Sequence, residues 1–92
     1  MGEGQKALSF FQKSLDVREE LVEREPHRTD LNVDLAISYW NMFHICPRED
    51  ELLWLSKAET ILKPLREGGL LHGQLEELWG LVGKEFSNRK RI

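Results

Sequence analysis

The chain has 92 residues, of which 40% are hydrophobic and 32% are charged, and 16 acidic against 13 basic residues give a net charge of −3. This well-mixed composition is typical of one small helical domain, and it argues against a nucleic-acid-binding domain because such domains carry a basic stripe. The single cysteine, Cys46, excludes a disulfide framework and favours a reducing, cytoplasmic compartment, and no apolar run is long enough to span a bilayer.

The first predicted helix covers residues 5–25. Apolar and small residues recur there at intervals of three and four, which places them on one helical face. This face comprises Ala7, Phe11, Ser14, Leu15, Val17, Leu21 and Val22, widened by Phe10 and Leu8. Pro26 ends the helix because proline disfavours helical geometry at the preceding residue and has no N–H to donate.

The second predicted helix covers residues 29–45, with Thr29 or Asp30 as its N-cap. It carries two adjacent apolar stripes. One is Leu31, Leu35, Tyr39, Met42 and Ile45, and the other is Ala36, Trp40 and Phe43. A helix that is apolar on two sides packs between two neighbours.

The third predicted helix covers residues 48–66 and follows Pro47, which suits the first turn of a helix. Pro64 lies inside it and cannot bond to the carbonyl of Thr60, so we expect a kink or an early stop. The glycines Gly68 and Gly69 then close the segment.

The last predicted helix covers residues 71–86 and has one apolar stripe, which suits a terminal helix that seals a stack. Residues 87–92 follow as a solvated basic tail. No segment alternates between apolar and polar residues as a half-buried strand does. The sequence therefore predicts an all-α domain of four antiparallel helices joined by short turns.

Several segments resemble the tetratricopeptide repeat family. The second-helix pattern of that family, a small residue, an aromatic residue four positions on and a small residue three further, is present in Ala7, Phe11 and Ser14, and is followed less closely by Ala58, Leu62 and Leu65. Residues 34–43 resemble the first helix of a repeat in bacterial members. Phe43 replaces the usual glycine at the closest helix approach, which predicts a wider crossing angle or a shifted register.

The resemblance implies a stack of helical repeats with a C-terminal capping helix and a non-catalytic role in protein–protein interaction or scaffolding. Residues 5–25 then correspond to a second helix without its first helix, so the face with Phe10 and Phe11 lacks a partner. We expect either the C-terminal piece of a longer array or a homodimer through the helix 1 face. Two alternatives are a structural or oligomerisation module and an accessory helical domain of a larger signalling protein or enzyme.

No catalytic, cofactor or metal site is predicted. The histidines His27, His44 and His72 have no partner at metal-ligand spacing, and Cys46 is interpreted as a packing thiol. The acidic run 49–51 is interpreted as a set of partners for a helix dipole rather than as a catalytic carboxylate pair.

The predicted partner is a protein or peptide, with no contact to nucleic acid or membrane. It would dock at a groove flanked by four aromatic residues, since such rings are enriched at binding hot spots. These residues are Tyr39, Trp40, Phe43 and Trp54. Trp54 is singled out because it lies off the main stripe of its helix. The predicted contact residues are Phe10, Phe11, Tyr39, Trp40, Asn41, Phe43 and Trp54.

Overall fold

The structure is a computed structural model that describes the backbone of residues 2–90 and the side chains of residues 6–89. This part of the chain contains four α-helices and no strand. They are α1 (Gly2–Arg24), α2 (Thr29–Ile45), α3 (Glu51–Glu67) and α4 (Gln74–Lys90), with a 3-10 turn at Arg48–Asp50 before α3. The predicted all-α fold is confirmed.

Each helix packs against the next one along the chain, and α2 lies between α1 and α3. Neighbouring helices run antiparallel. At one end of the α1–α2 pair Leu21 lies beside Leu31, and at the other end Phe11 lies beside Met42. The expectation that the second helix packs between two neighbours is met, since α2 contacts both α1 and α3.

One hydrophobic core joins all four helices. Its buried members come mainly from α2 and α3, with one leucine from α1 and two residues from α4. They are Leu15, Leu35, Ala36, Tyr39, Met42, Phe43, Trp54, Leu55, Ala58, Leu62, Leu65, Leu71, Leu78 and Val82. No polar or charged residue of the described chain is fully buried.

The turn between α1 and α2 is held by Asn32. Its amide donates to the carbonyl oxygens of Pro26 at 3.0 Å and Arg28 at 2.9 Å. The predicted cap at Thr29 or Asp30 is wrong, since Arg28 occupies the N-cap position without a side-chain bond. Asp30 instead accepts from the Arg28 guanidinium at 2.5 Å, and this contact lowers the pKa of Asp30.

The C-terminus of α3 ends at two glycines, as predicted. Gly69 has a φ of 71°, its N–H donates to Arg66, and the N–H of Leu70 donates to Leu65 at 2.8 Å. This pair of bonds satisfies two of the last carbonyl groups of the helix. Pro64 does not stop the helix, which runs on to Glu67.

The last helix is shifted toward the C-terminus compared with the predicted 71–86. Leu71 is buried, but it belongs to the loop before the helix, so its place in the apolar stripe did not mark a helical residue. Gly73, with a φ of 56°, separates that loop from α4. The predicted tail at 87–92 is also wrong for residues 87–90, which belong to α4; residues 91 and 92 lie outside the described chain.

No helix of the described residues is both long enough and apolar enough to cross a membrane.

Candidate functional site

An open groove lies between α2 and α4, the two helices that line one side of the domain. It encloses a cavity of about 690 Å³. Its apolar lining is Val33, Ile37 and Trp40 from α2 and Leu75, Leu78 and Leu81 from α4, and its polar lining is His72, Gln74 and Glu77. We call this surface the α2–α4 groove.

The apolar lining follows from the spacing of residues on the two helices. Val33, Ile37 and Trp40 are four and three positions apart, so they form one stripe along α2. Ile37 is 40% exposed and Leu81 is 49% exposed, although both side chains face a concave surface. Exposed aliphatic side chains in a groove with a few polar groups are characteristic of a binding site rather than of a closed core.

Trp40 is held in place by its own helix. Its ring stacks on Phe43 with centroids 5.2 Å apart, and His44 meets it edge-on at 4.7 Å. These contacts within α2 restrict the orientation of the indole ring. A side chain that is already ordered would lose less entropy in binding a ligand.

Beyond Trp40 the groove reaches an ion-pair cluster that links α4 to α3. The guanidinium of Arg89 donates to Glu51 at 2.8 Å, pairs with Glu85 and lies 4.7 Å from the ring centroid of Phe43. The basic residues at the C-terminus were predicted to be solvated, but Arg89 instead anchors the last turns of α4. Its partner lies 38 positions away, so no local pattern indicated the contact.

Of the four rings predicted to flank a docking groove, three lie in the core. Trp54 is 8% exposed, and Tyr39 and Phe43 are 6% exposed each. The interpretation of Trp54 as a residue off the main stripe is wrong, because Tyr39 packs against it with ring centroids 6.0 Å apart. Only Trp40 of these four lines the α2–α4 groove.

The other predicted contact residues reach the surface at the junction of α1 and α2, and none of them lines the α2–α4 groove. Asn41 is exposed and lies near Phe11 at the junction of α1 and α2. Phe10 is 69% exposed and meets Phe11 edge-on. Contact with a partner stays a prediction for Phe10, Phe11, Trp40 and Asn41, which are the members of the set with accessible side chains.

A polar connection between three helices was not found from the sequence. The Tyr39 hydroxyl donates to Glu19 at 2.6 Å, and Lys57 lies 3.8 Å from the same carboxylate. The Lys57 ammonium also lies over the rings of Tyr39 and Trp54. Burial and the bond to Glu19 raise the pKa of Tyr39 well above its ordinary value of 10.0. The available signal was a single tyrosine within an apolar stripe, because a buried hydroxyl needs a partner.

Cys46 follows the end of α2, where its thiol lies 3.5 Å from the carbonyl oxygen of Phe43. Burial, with the nearby carboxylates of Glu51 and Asp50, raises the pKa of the Cys46 thiol. A raised pKa disfavours the thiolate, which is the nucleophilic form. Among the described residues, no three histidine, cysteine, aspartate or glutamate side chains converge as a metal site.

Comparison with protein-family models, curated proteins and solved structures finds no match to this chain.

Proposed function

We propose that this chain is a non-catalytic protein-interaction module that binds a partner polypeptide segment in the α2–α4 groove. The observation that carries the proposal is a pair of apolar stripes, one on α2 and one on α4. They form the two walls of an open groove with a volume of about 690 Å³. A groove with apolar residues on both walls suits an amphipathic segment whose apolar side chains enter it at helical spacing.

The chemistry of the polar lining favours a partner with a basic residue beside its apolar stripe. Glu77 lines the groove, and Glu76 precedes it in the first turn of α4. Arg89 at the far end is already paired with two carboxylates. A lysine or arginine of the bound segment would therefore find its counterion near the start of α4.

The resemblance to tetratricopeptide repeats supports the same proposal. We assign α1 to the second helix of one repeat, α2 and α3 to a helix pair and α4 to a cap. The position of α2 between α1 and α3 agrees with this assignment, and the groove then lies between two helices of equivalent position. The lone cysteine favours a cytoplasmic site of action.

Peptide selection tests the proposal. Random peptides displayed on phage are selected against the full chain, and the selected sequences are made as synthetic peptides. We expect apolar residues at intervals of three and four, and at least a tenfold loss of affinity in the variants Ile37→Glu and Leu81→Glu. Each of these changes places a carboxylate in a desolvated apolar contact, which costs well over the 1.4 kcal/mol that corresponds to about tenfold.

Leu53→Glu is the matched control, because Leu53 is 50% exposed on α3 and does not line the groove. It should bind the peptides as the wild type does. Circular dichroism verifies that all three variants keep their helices. Peptides whose affinity is the same for the wild type, Ile37→Glu and Leu81→Glu would contradict the proposal, as would a failure to select any peptide.

A further inference from the structure

The helix α1 has a second apolar face that stays largely open to solvent. The helix α2 borders it along one edge, where Leu31 and Asp34 line a cavity with part of this face. The face comprises Ala7, Phe10, Ser14, Val17 and Leu21, which we call the α1 seam. The large side chains of this seam are open to solvent: Phe10 is 69% exposed, Val17 57% and Leu21 38%. Leu15, which faces the core from the opposite flank of the same helix, is 1% exposed.

The α1 seam has the spacing of a coiled-coil contact. Its members are three, four, three and four positions apart, which keeps them facing one partner helix along three turns or more. The charged residues that border such a seam decide which helix pairs with it and in which direction. Lys6, Lys13 and Glu20 border it on one flank, and Phe11, Arg18 and Glu25 border it on the other.

We infer that the α1 seam binds the same seam of a second copy of this chain, as a two-fold antiparallel helix pair. In an antiparallel pair each flank of one helix meets the same flank of the other helix. With Ser14 opposite Val17 of the partner subunit, Phe10 lies opposite Leu21 of the partner subunit. Lys13 then meets Glu20 of the partner subunit, and the two-fold axis repeats this attractive pair.

The other flank is also complementary in this register. Phe11 meets Arg18 of the partner subunit, and the symmetric contact repeats it. A guanidinium beside an aromatic ring is a favourable contact. Neither Lys13 nor Arg18 forms an ion pair within the described part of the chain, so both cations are available. Glu20 pairs with Arg24 at 2.9 Å on its own helix, but both side chains are exposed, so the carboxylate can also reach Lys13 of the partner subunit.

Alternative arrangements bring like charges together. A parallel pair sets Lys13 against Arg18 of the partner subunit and Glu20 against Glu25 of the partner subunit. An antiparallel pair shifted by one heptad in one direction sets Lys13 against its own copy, although Lys6 then meets Glu20 of the partner subunit. Shifted in the other direction, it sets Glu20 against its own copy. In the first of these shifts Leu21 has no apolar seam residue of the partner opposite it. In the second, Phe10 lies beyond the end of the partner's α1 at Arg24.

Charge exchange across the seam tests the inference. Sedimentation equilibrium of the full chain should show the mass rising with concentration from 10.8 kDa toward twice that value. Lys13→Glu and Glu20→Lys should each weaken self-association on the order of tenfold, because two attractive pairs become repulsive at once. An equimolar mixture of the two variants should associate as tightly as the wild type, since both pairs in the mixed dimer are attractive again.

Two control variants change the same charges away from the seam. Lys63→Glu lies on an exposed position of α3, and Glu23→Lys lies on another side of α1. Both should associate as the wild type does. All the changed residues are solvent-exposed, so the fold is retained, and circular dichroism verifies it.

Three results would overturn the inference. The wild type could stay monomeric at high concentration, which would leave the seam to a different partner. Self-association could be the same in all variants, which would place the contact elsewhere. Lys13→Glu could strengthen it, which would indicate parallel pairing with Arg18. Because the seam lies on α1, none of these results affects the test of the α2–α4 groove.

Discussion

At the scale of single residues, the Glu19 carboxylate connects three helices. It accepts the hydroxyl of Tyr39 on α2 and lies 3.8 Å from the ammonium of Lys57 on α3. These contacts satisfy the one polar atom that Tyr39 brings into the core. Because the hydroxyl is buried and donates to Glu19, the folded state favours the protonated form of Tyr39.

The raised pKa of Tyr39 makes stability depend on pH in the alkaline range. The hydroxyl ionises near 10.0 in the unfolded chain, but at a higher pH in the folded chain. A raised folded pKa gives a contribution that is complete below the unfolded pKa and is lost as the pH rises above it. We expect the free energy of unfolding to fall by about 1.4 kcal/mol per pH unit above 10 from this group.

Urea unfolding at a series of pH values measures that slope. Tyr39→Phe is the control, because it removes the titrating hydroxyl while other alkaline titrations remain, and its slope should be smaller. Tyr39 is the only tyrosine, so the ultraviolet absorbance of tyrosinate reports its ionisation directly. An ordinary titration near 10.0 in the folded protein would contradict the expectation.

At the scale of elements, two glycines in helical segments have opposite roles. Gly69 adopts a φ of 71° at the end of α3, a conformation that side chains with a Cβ atom rarely adopt. Gly80 lies inside α4 with ordinary helical geometry, and a Cβ atom built there meets nothing within 4 Å. The first glycine is required by the backbone, and the second only weakens its helix.

Alanine substitution should therefore change stability in opposite directions. Gly69→Ala should lower the free energy of unfolding by about 1 kcal/mol, since alanine is strained at positive φ. Gly80→Ala should raise it by roughly 0.5–1 kcal/mol through helix propensity. Thermal or urea unfolding of the two variants beside the wild type measures both shifts, and equal shifts in the same direction would refute this assignment.

The boundaries of α4 show how elements depend on distant contacts. The apolar stripe predicted a start near Leu71, yet this residue is buried as part of a loop and the helix begins at Gln74. At the other end the helix continues past Phe86 because Arg89 reaches Glu51 across the domain. Helical spacing identifies the buried face, but the tertiary contacts set where the helix starts and stops.

At the scale of the whole molecule, the core is shared by all four helices, so the domain should unfold as one unit. Leu62 is fully buried on α3. Leu62→Ala should lower the free energy of unfolding by about 2–5 kcal/mol through lost burial and a residual cavity. Leu53→Ala, at a half-exposed position of the same helix, should change it by about 0.5 kcal/mol or less.

Denaturant unfolding followed by both tryptophan fluorescence and helical circular dichroism tests this expectation. Trp54 and Trp79 belong to different helices, so coincident transitions by the two methods indicate one cooperative unit. Separate transitions would show that part of the domain unfolds independently of the rest. Equal losses of stability for Leu62→Ala and Leu53→Ala would contradict the role of burial at Leu62.

The sequence by itself determined the all-α class, the four helices and most of the core. The reason is that apolar residues at helical spacing form the face of each helix that packs against its neighbours. The second helix, with its two apolar stripes, illustrates this best: its stripes predicted a position between two neighbours, and α2 lies between α1 and α3.

Only the tertiary structure decided which apolar residues remain open. Trp54 and Ile37 are both large apolar residues on helices, yet one is buried against Tyr39 and the other lines a groove with α4. The ion pair between Arg89 and Glu51 also depends on the tertiary structure, because the two residues are 38 positions apart in the sequence. The spacing of apolar residues in the sequence indicates on which face of its helix a side chain lies. Whether that face is exposed depends on how the neighbouring helices are placed in space.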